Sequence, residues 1–375
     1  MINDSSAGPD SPDASAASIA ASPTGAPRQR TRHVLLAGAV ALALVLSTAF
    51  ASMHRRTVSP RVAAAAPASA AVAAVAAASA ASGAAAAADL GQWCGRLASQ
   101  VPGVAQPACR ASGLVAGAGG SVRGVPLWTH DVLPATGTPR FKVLLLGGIH
   151  GDELASVTLA FDWIARSHDA QLAAPPRAAK PSMADVAWRF VPLLNPDGLL
   201  HAPSTRVNAH GVDLNRNFPT ADWERDAQPY WIKRTKKDPR RFPGTQPLSE
   251  PESRWLLQQI DQFHPDLIVS VHAPYGLLDF DGPPPAPRRL GSLQLDPVGV
   301  YPGSLGNYGG LVKNVPVMTL ELKNARQVPP RELAAMWNDL QRWIDEQMVN
   351  PGVQASAQRS LVPGTRSLGA PRRAD

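Results

Sequence analysis

Hydrophobic and polar residues alternate along the middle of the chain in blocks that are typical of strands and helices. Short apolar runs bounded by turn residues predict buried strands over Phe141–Leu146, Val186–Leu194, Leu267–Val271 and Pro316–Leu322. Helical apolar spacing predicts helices over Glu153–Ser167, from Pro251 to about Phe263, and over Pro330–Met348. Strands that alternate with helices predict an α/β fold, with a mixed, mainly parallel sheet that has helices on both faces.

Two local signals set boundaries within this pattern. Ser249-Glu250-Pro251-Glu252 has the spacing of a capping box with proline in the first turn, and it predicts the start of a helix. Asn195-Pro196-Asp197-Gly198 predicts a turn that stops the second strand.

The N-terminal part of the chain has a different pattern. Residues 1–33 contain almost no large apolar side chains, so they predict a disordered tail. The uncharged run Val34–Ala51 follows three arginines and predicts a membrane anchor or signal segment over residues 34–52. Ala49-Phe50-Ala51 fits a small-x-small cleavage pattern, so cleavage after Ala51 is an alternative to a retained anchor.

The rest of the chain divides by composition. Residues 53–89 are alanine-rich and predict a low-complexity spacer, because a helix without apolar anchors has nothing to pack against. Residues 90–124 are predicted to form a lead-in that contains both cysteines, residues 125–350 a folded domain that contains the predicted strands and helices, and residues 351–375 a second disordered tail. The order of anchor, spacer and domain predicts a folded domain in the periplasm, either tethered to the inner membrane or released by cleavage.

Composition narrows the class of protein. With 45% hydrophobic and 17% charged residues, the 375-residue chain is not a disordered polyelectrolyte. Two cysteines exclude a disulfide-rich scaffold and a four-cysteine zinc module. The net charge of +7 favours anionic partners without choosing among them. The simplest interpretation of the local basic cluster over residues 233–241 is a solvated loop.

Candidate metal ligands stand at the predicted strand ends. His150 and Glu153 are three residues apart in the turn after the first strand, and His272 follows the third strand. Two imidazoles and one carboxylate, with a fourth position open, are typical of a catalytic zinc site. Glu321 lies inside the apolar fourth strand, where a carboxylate is rare unless it is paired or functional, and it could act as a general base.

The segment between residues 205 and 219 adds candidates for substrate binding. It contains Arg206, Asn215 and Arg216, and arginine binds a carboxylate through two parallel hydrogen bonds. Beside a zinc site, these side chains suggest a substrate with a free carboxylate.

The chain resembles the zinc carboxypeptidase family from Val125 to Asn350. The motifs that carry the resemblance occur in the family's order: Gly148-Ile-His-Gly-Asp-Glu153, Asn195-Pro-Asp-Gly198, Gly211-Val-Asp-Leu-Asn-Arg-Asn-Phe-Pro219, Ser249-Glu-Pro-Glu252, Ser270-Val-His272 and Thr319-Leu-Glu321. Within the family it is similar to the bacterial branch of murein peptide amidases, which hydrolyse the γ-D-glutamyl–diaminopimelate bond.

The resemblance implies a role for each site residue. One zinc ion per chain would be held by His150, Glu153 and His272, with Glu321 as general base. Asn215 and Arg216 would bind the terminal carboxylate of a peptide substrate, and Arg206 would polarise the scissile carbonyl. Asp213 would orient His150 through its second ring nitrogen. The implied partner is a peptide, and we expect no nucleic acid partner.

Two departures from the pancreatic-type members argue against their specificity. Asp152 stands where those members carry arginine, and their mobile substrate-binding tyrosine has only Tyr301 and Tyr308 as candidates here.

Two other functions remain open from sequence. An N-acyl amino acid deacylase of the aspartoacylase and succinylglutamate desuccinylase type would share the Asp-Leu-Asn-Arg element at residues 213–216. A non-catalytic wall-binding protein with the same fold is the third hypothesis, and an intact ligand set with Glu321 argues against it.

Cys94 and Cys109 are the only cysteines, and both lie on the side of the chain that we expect to be exported. An oxidising compartment favours a disulfide between them, and the intervening Pro102, Gly103 and Pro107 allow the chain to turn back.

Overall fold

We describe a computed structural model of the chain over residues 89–134, 137–172 and 185–349. The predicted N-terminal tail, the anchor at 34–52, nearly all of the spacer and the C-terminal tail lie outside these residues. Within the described ranges, no helix is long and apolar enough to span a membrane.

Seven strands form the main sheet, in the order β1-β2-β4-β3-β5-β9-β6. The strands are β1 (Val115–Gly120), β2 (Pro126–Val132), β3 (Phe141–Leu146), β4 (Val186–Val191), β5 (Leu267–His272), β6 (Leu278–Asp281) and β9 (Val317–Glu321). A separate short hairpin pairs β7 (Arg289–Leu290) with β8 (Leu293–Gln294).

The described residues also contain seven α-helices and several short helical turns. The helices are α1 (residues 89–100), α2 (Gln106–Ala111), α3 (Leu154–Leu172), α4 (Pro196–Leu199), α5 (Gln228–Lys233), α6 (Pro251–Phe263) and α7 (Pro330–Val349). The turns are 3-10 segments at Leu214–Arg216 and Pro239–Arg241, and π-type segments at Trp223–Ala227 and Asn307–Val312.

The sheet is mixed, as predicted, but it is not mainly parallel. The pairs β3·β4, β3·β5 and β5·β9 are parallel, whereas β1·β2, β2·β4 and β6·β9 are antiparallel. The two edge strands, β1 and β6, were not predicted because their composition is weak for strands. β1 is VAGAGG, and β6 carries two aspartates in four residues.

Successive side chains of the central strand β3 lie on opposite faces of the sheet, and each face is covered by helices. Val143 and Leu145 belong to the core under α3 and α7, whereas Leu144 and Leu146 belong to the core under α6. This follows from the two-residue period of a strand, and it explains why the whole run is apolar. The long helix α7 contributes to the first core through Leu333, Met336, Trp337, Leu340 and Ile344, which is helical spacing.

Several predicted boundaries shift. α3 begins at Leu154 and continues beyond Ser167, and β4 ends at Val191, before a helical turn at residues 196–199 replaces the simple turn. α6 begins at Pro251 as predicted, but the capping box does not form, because Glu250 is the N-cap residue and its side chain makes no capping hydrogen bond. Glu252 instead accepts hydrogen bonds from the Val122 amide at 3.1 Å and from Asn208 at 3.1 Å.

The lead-in segment packs onto the rest of the domain. Its strand β1 pairs with β2, so the boundary drawn at residue 124 falls inside a β-hairpin. Cys94 and Cys109 form a disulfide with a Cα–Cα distance of 5.7 Å. Closing a loop of this size stabilises a fold by about 3 kcal/mol in the chain-entropy model. The disulfide lies in a core shared with Trp128 and Leu154.

Candidate active site

Three potential metal ligands meet at the carboxyl ends of β3 and β5. His150, Glu153 and His272 are buried, and their ligand atoms all lie within 4.8 Å of one another. His150 Nδ1 is 2.9 Å from Glu153 Oε1 and 3.1 Å from His272 Nδ1, and His272 Nδ1 is 3.2 Å from Glu153 Oε2. The predicted ligands therefore converge on one point.

The local fold places these side chains. His150 lies in the turn after β3, Glu153 directly precedes α3, and His272 is the last residue of β5. Gly151 lies between His150 and Glu153 in the sequence. It packs so tightly that an added Cβ would be 2.3 Å from the backbone of Gly198. Glycine is required at this position because the ligand turn and the 195–205 segment touch through their backbones.

In each histidine, Nε2 is the ring nitrogen that does not face the other two ligands, and it makes a hydrogen bond to a neighbouring side chain. His150 Nε2 is 3.1 Å from Asp213 Oδ1, and His272 Nε2 is 3.0 Å from Ser270 Oγ. The Asp213 carboxylate can only accept, so its bond favours a proton on Nε2 of His150 and leaves Nδ1 as the ligand atom. The Ser270 hydroxyl can accept the Nε2 proton of His272, which would leave Nδ1 of that ring as the ligand atom as well. Two imidazole nitrogens and a carboxylate oxygen with this support fit one zinc ion. Asp213 thus has its predicted place, whereas the sequence analysis missed Ser270.

The electrostatic environment favours an ionised ligand carboxylate. Burial would raise the pKa of Glu153, but the charges of His150 and His272 outweigh it and hold that pKa below its ordinary value. Burial would likewise raise the pKa of Asp213, but Arg206 and His150 hold it well below its usual range. Both carboxylates are therefore anionic at neutral pH.

Glu321 is the last residue of β9 and pairs in register with His272 on β5. Its Oε2 is buried and has no hydrogen-bond partner among the described residues. Burial raises the pKa of the Glu321 carboxyl above its ordinary value; His272 opposes this shift and Glu153 adds to it. An unpaired carboxylate with a raised pKa beside a metal site has the properties of a general base.

Arg206 lies at the site but is bound to its carboxylates. Its Nε donates to Asp213 Oδ2 at 3.1 Å, and its Nη1 donates to Glu153 Oε1 at 3.4 Å. Its Nη2 makes no hydrogen bond to the described protein, so it keeps donors for a substrate oxygen.

Asn215 and Arg216 lie together in the 3-10 turn after Asp213. Asn215 Oδ1 accepts a hydrogen bond from the Leu305 amide at 2.8 Å, which leaves its amide group as a donor. Arg216 Nη1 donates to the Asn215 carbonyl at 2.6 Å, while its buried Nε has no partner in the described part of the chain. A half-buried guanidinium with an unused donor fits a carboxylate ligand.

The loop around Pro302-Gly303-Ser304 packs directly on these residues. Gly303 has φ +77°, and an added Cβ would be 2.0 Å from the Arg216 carbonyl oxygen, so only glycine fits. The Tyr301 ring lies 4.6 Å from the Arg216 guanidinium carbon, so Tyr301 is the one of the two candidate tyrosines that contacts a predicted site residue. Tyr308 is instead buried and stacks on Phe218 at 5.8 Å.

Two carboxylates that the sequence analysis did not single out lie on the Glu321 face of the sheet. Asp279 and Asp281 on β6 pair with Thr319 and Val317, which precede Glu321 by two and four residues. The two-residue period of strands places all these side chains on one face. Burial, with a contribution from Asp279, raises the pKa of Asp281 to about 7.

Residues 113–278 match the family described as zinc carboxypeptidase. This range contains the three candidate zinc ligands and ends before Glu321. Murein peptide amidase A of Vibrio campbellii is 31% identical over 211 residues, which cover 54% of this chain and 77% of that protein. Murein peptide amidase A of Escherichia coli is 35% identical over 164 residues, 43% of this chain. The matched residues span 60% of the length of the Escherichia coli protein.

Among solved structures, the chain is similar to a murein-tripeptide amidase from Escherichia coli. The two share 28% sequence identity with a TM-score of 0.42, and the match covers 62% of this chain and 92% of the other.

Proposed function

Because this chain belongs to the zinc carboxypeptidase family, we propose that it is a zinc-dependent peptidase that hydrolyses the amide bond to a C-terminal residue. One observation carries this proposal. The His150, Glu153 and His272 ligand set adjoins the unpaired Glu321 carboxylate, in a site that also contains the unused donor of Arg216. A metal site, a base and a carboxylate receptor are the parts that such a reaction requires.

The roles of the residues follow from their contacts. A zinc ion held by the three ligands would supply Lewis acidity that polarises the scissile carbonyl and acidifies water. Glu321 accepts a proton from the attacking water and passes it to the amine, so that a C–O bond forms as the C–N bond breaks. Arg206 donates to the carbonyl oxygen as negative charge develops there. Asn215 and Arg216 bind the terminal carboxylate and so choose the bond that is cut.

We further propose a cell-wall peptide as the substrate, with cleavage of the γ-D-Glu–diaminopimelate bond. The two relatives named murein peptide amidase support this choice.

A panel of substrates with mass-spectrometric product detection tests the activity. Zinc-loaded protein should release diaminopimelate from the tripeptide L-Ala-γ-D-Glu-meso-diaminopimelate and should not cleave the same peptide with an amidated C-terminus. If the protein released the acyl group of N-acyl amino acids faster than it released diaminopimelate from the tripeptide, the result would support the deacylase hypothesis instead. The absence of turnover on every substrate would favour the wall-binding hypothesis.

The location of the domain is a separate proposal. We propose that the catalytic domain lies in the periplasm, attached through residues 34–52 or released by cleavage near Ala51. The disulfide between Cys94 and Cys109 supports this, because such bonds persist in oxidising compartments. A reporter fused after residue 89 should be active only outside the cytoplasm, and activity confined to the cytoplasm would contradict the proposal.

A further inference from the structure

A cationic loop, defined here as residues 233–241, stands beside the active site and is not used by the mechanism above. It contains a single carboxylate, Asp238, and six exposed cationic side chains: Lys233, Arg234, Lys236, Lys237, Arg240 and Arg241. Such a density of one charge creates a local potential that attracts anions.

Most of this charge is not neutralised by the described residues. Arg240 pairs with Asp152 at 2.8 Å, and Arg241 pairs with Asp238 at 3.5 Å. In the described ranges, the other four cationic side chains form no ion pair and no hydrogen bond. Four like charges within five residues repel one another, so the loop is poised to gain from a bound anion.

The backbone of the loop is held in one conformation. Trp231 Nε1 donates to the Asp238 carbonyl at 2.8 Å, and the Lys237 amide donates to the Trp231 carbonyl at 3.0 Å. Lys236 and Lys237 have φ values of 56° and 62°, which is strained for residues other than glycine. A loop that is already ordered presents its charges with less entropic cost on binding.

Both ends of the loop are attached to the rim of the active site. At one end, the ring of Tyr230 lies 5.6 Å from that of Tyr301, which covers Arg216. At the other end, Arg240 is bound to Asp152, two residues after the zinc ligand His150. The cationic loop therefore runs from the neighbourhood of Tyr301, which lies over Arg216, to Asp152 in the turn that carries His150.

We propose that the cationic loop binds a second carboxylate of the peptide substrate, other than the terminal one held by Arg216. This inference rests on the proposed peptidase function and extends it to a class of substrate. The favoured substrates are acidic peptides whose residue before the cleaved bond carries a free carboxylate. Arg240 fixes the loop through Asp152, while Lys233, Arg234, Lys236 and Lys237 supply the charge.

Kinetics on two matched peptides test this proposal with the full-length, zinc-loaded protein. The peptides are L-Ala-γ-D-Glu-meso-diaminopimelate and its analogue in which the free glutamyl carboxylate is a carboxamide. We expect kcat/KM to be about tenfold higher for the carboxylate peptide, since several exposed charge pairs each contribute modestly. The advantage should appear in KM and shrink in about 0.5 M NaCl because salt screens exposed charges.

Substitution of the four unpaired cations gives the decisive comparison. The variant K233Q/R234Q/K236Q/K237Q should lose the preference for the carboxylate peptide and cleave the carboxamide peptide at the wild-type rate. The control R96Q/R110Q/R326Q/R331Q removes the same charge from exposed positions elsewhere and should keep the preference. A loop variant that keeps the preference, or a wild-type protein that has none, would overturn the proposal.

A binding measurement that needs no turnover tests the role of the cationic loop separately from the proposed peptidase activity. Calorimetry with zinc-loaded E321Q protein measures the affinity for both peptides directly. If the carboxylate peptide binds more tightly and the loop substitutions in the same background abolish the difference, the loop has the proposed role even where catalysis fails. Equal binding of both peptides would overturn the role of the loop while leaving the peptidase activity intact.

Discussion

His272 and Glu321 are register partners at the last positions of the adjacent parallel strands β5 and β9. The carboxyl ends of parallel strands share one edge of a sheet, so this pairing places a zinc ligand and a candidate base side by side. The adjacent strand β3 leads into the turn that carries His150 and Glu153. Three neighbouring strands, which are far apart in the sequence, therefore bring the candidate zinc ligands and Glu321 together at one edge of the sheet.

The hydrogen bond between Ser270 and His272 predicts a loss of zinc affinity in the variant S270A. Without the Ser270 hydroxyl, the His272 ring loses its orienting partner, and support of this kind is worth about 10–100-fold in metal affinity. Competition with a zinc chelator measures the change. S253A is the matched control, because the Ser253 hydroxyl is buried without a partner in the described residues. Equal zinc affinity in S270A and wild type would show that Ser270 does not orient the ligand.

Because Arg216 has an unused donor, we expect the enzyme to select peptides with a free C-terminal carboxylate. In the variant R216K the charge remains but the paired donors are lost, so kcat/KM for a free C-terminal peptide should fall by about 10²-fold, equivalent to two charge-assisted hydrogen bonds. The rate ratio between free and amidated peptides should fall with it. R225K, at an exposed side chain paired with Asp226, is the control. An unchanged ratio in R216K would remove Arg216 from carboxylate binding.

The raised pKa of Asp281 leads us to expect that the free energy of unfolding depends on pH. Its pKa is raised from 3.8 to about 7 by burial and Asp279, so folding favours the protonated form. The favourable contribution is complete below the unfolded value and is lost as the pH rises through about 7. The free energy of unfolding of D281N, relative to wild type, should therefore increase between pH 4 and pH 7 and then level off.

Urea unfolding at several pH values measures this difference. D169N serves as the control for loss of one surface charge. A difference between D281N and wild type that does not vary with pH would show that Asp281 does not bind a proton on folding.

Much of the central fold could be predicted from sequence because the parallel strands are buried on both faces. β3 has its predicted bounds, β5 ends one residue later than predicted, and β9 is one residue shorter than predicted at each end. The antiparallel outer strands could not be predicted in the same way. β1 is rich in glycine and β6 contains two aspartates, so strand pairing rather than local propensity decides their structure.

The site also combines residues that a local sequence pattern predicts with contacts that no local pattern predicts. The zinc ligands stand in short motifs at strand ends, where residue type and spacing carry the signal. Ser270 was missed although it lies two residues before His272, the spacing that puts two strand side chains on one face. The tie between Arg240 and Asp152 joins residues 88 positions apart, and no local pattern contains that information.

The most direct measurement of the central claim is the zinc content and turnover of the variant E321Q. Glutamine keeps the size of Glu321 and removes its basicity, so the protein should retain one zinc ion per chain while kcat falls by about 10²–10⁴-fold. E346Q, at an exposed position on α7, should match the wild type in both measurements. A fall in kcat of less than about tenfold, with zinc still bound, would contradict the role of Glu321 as the general base.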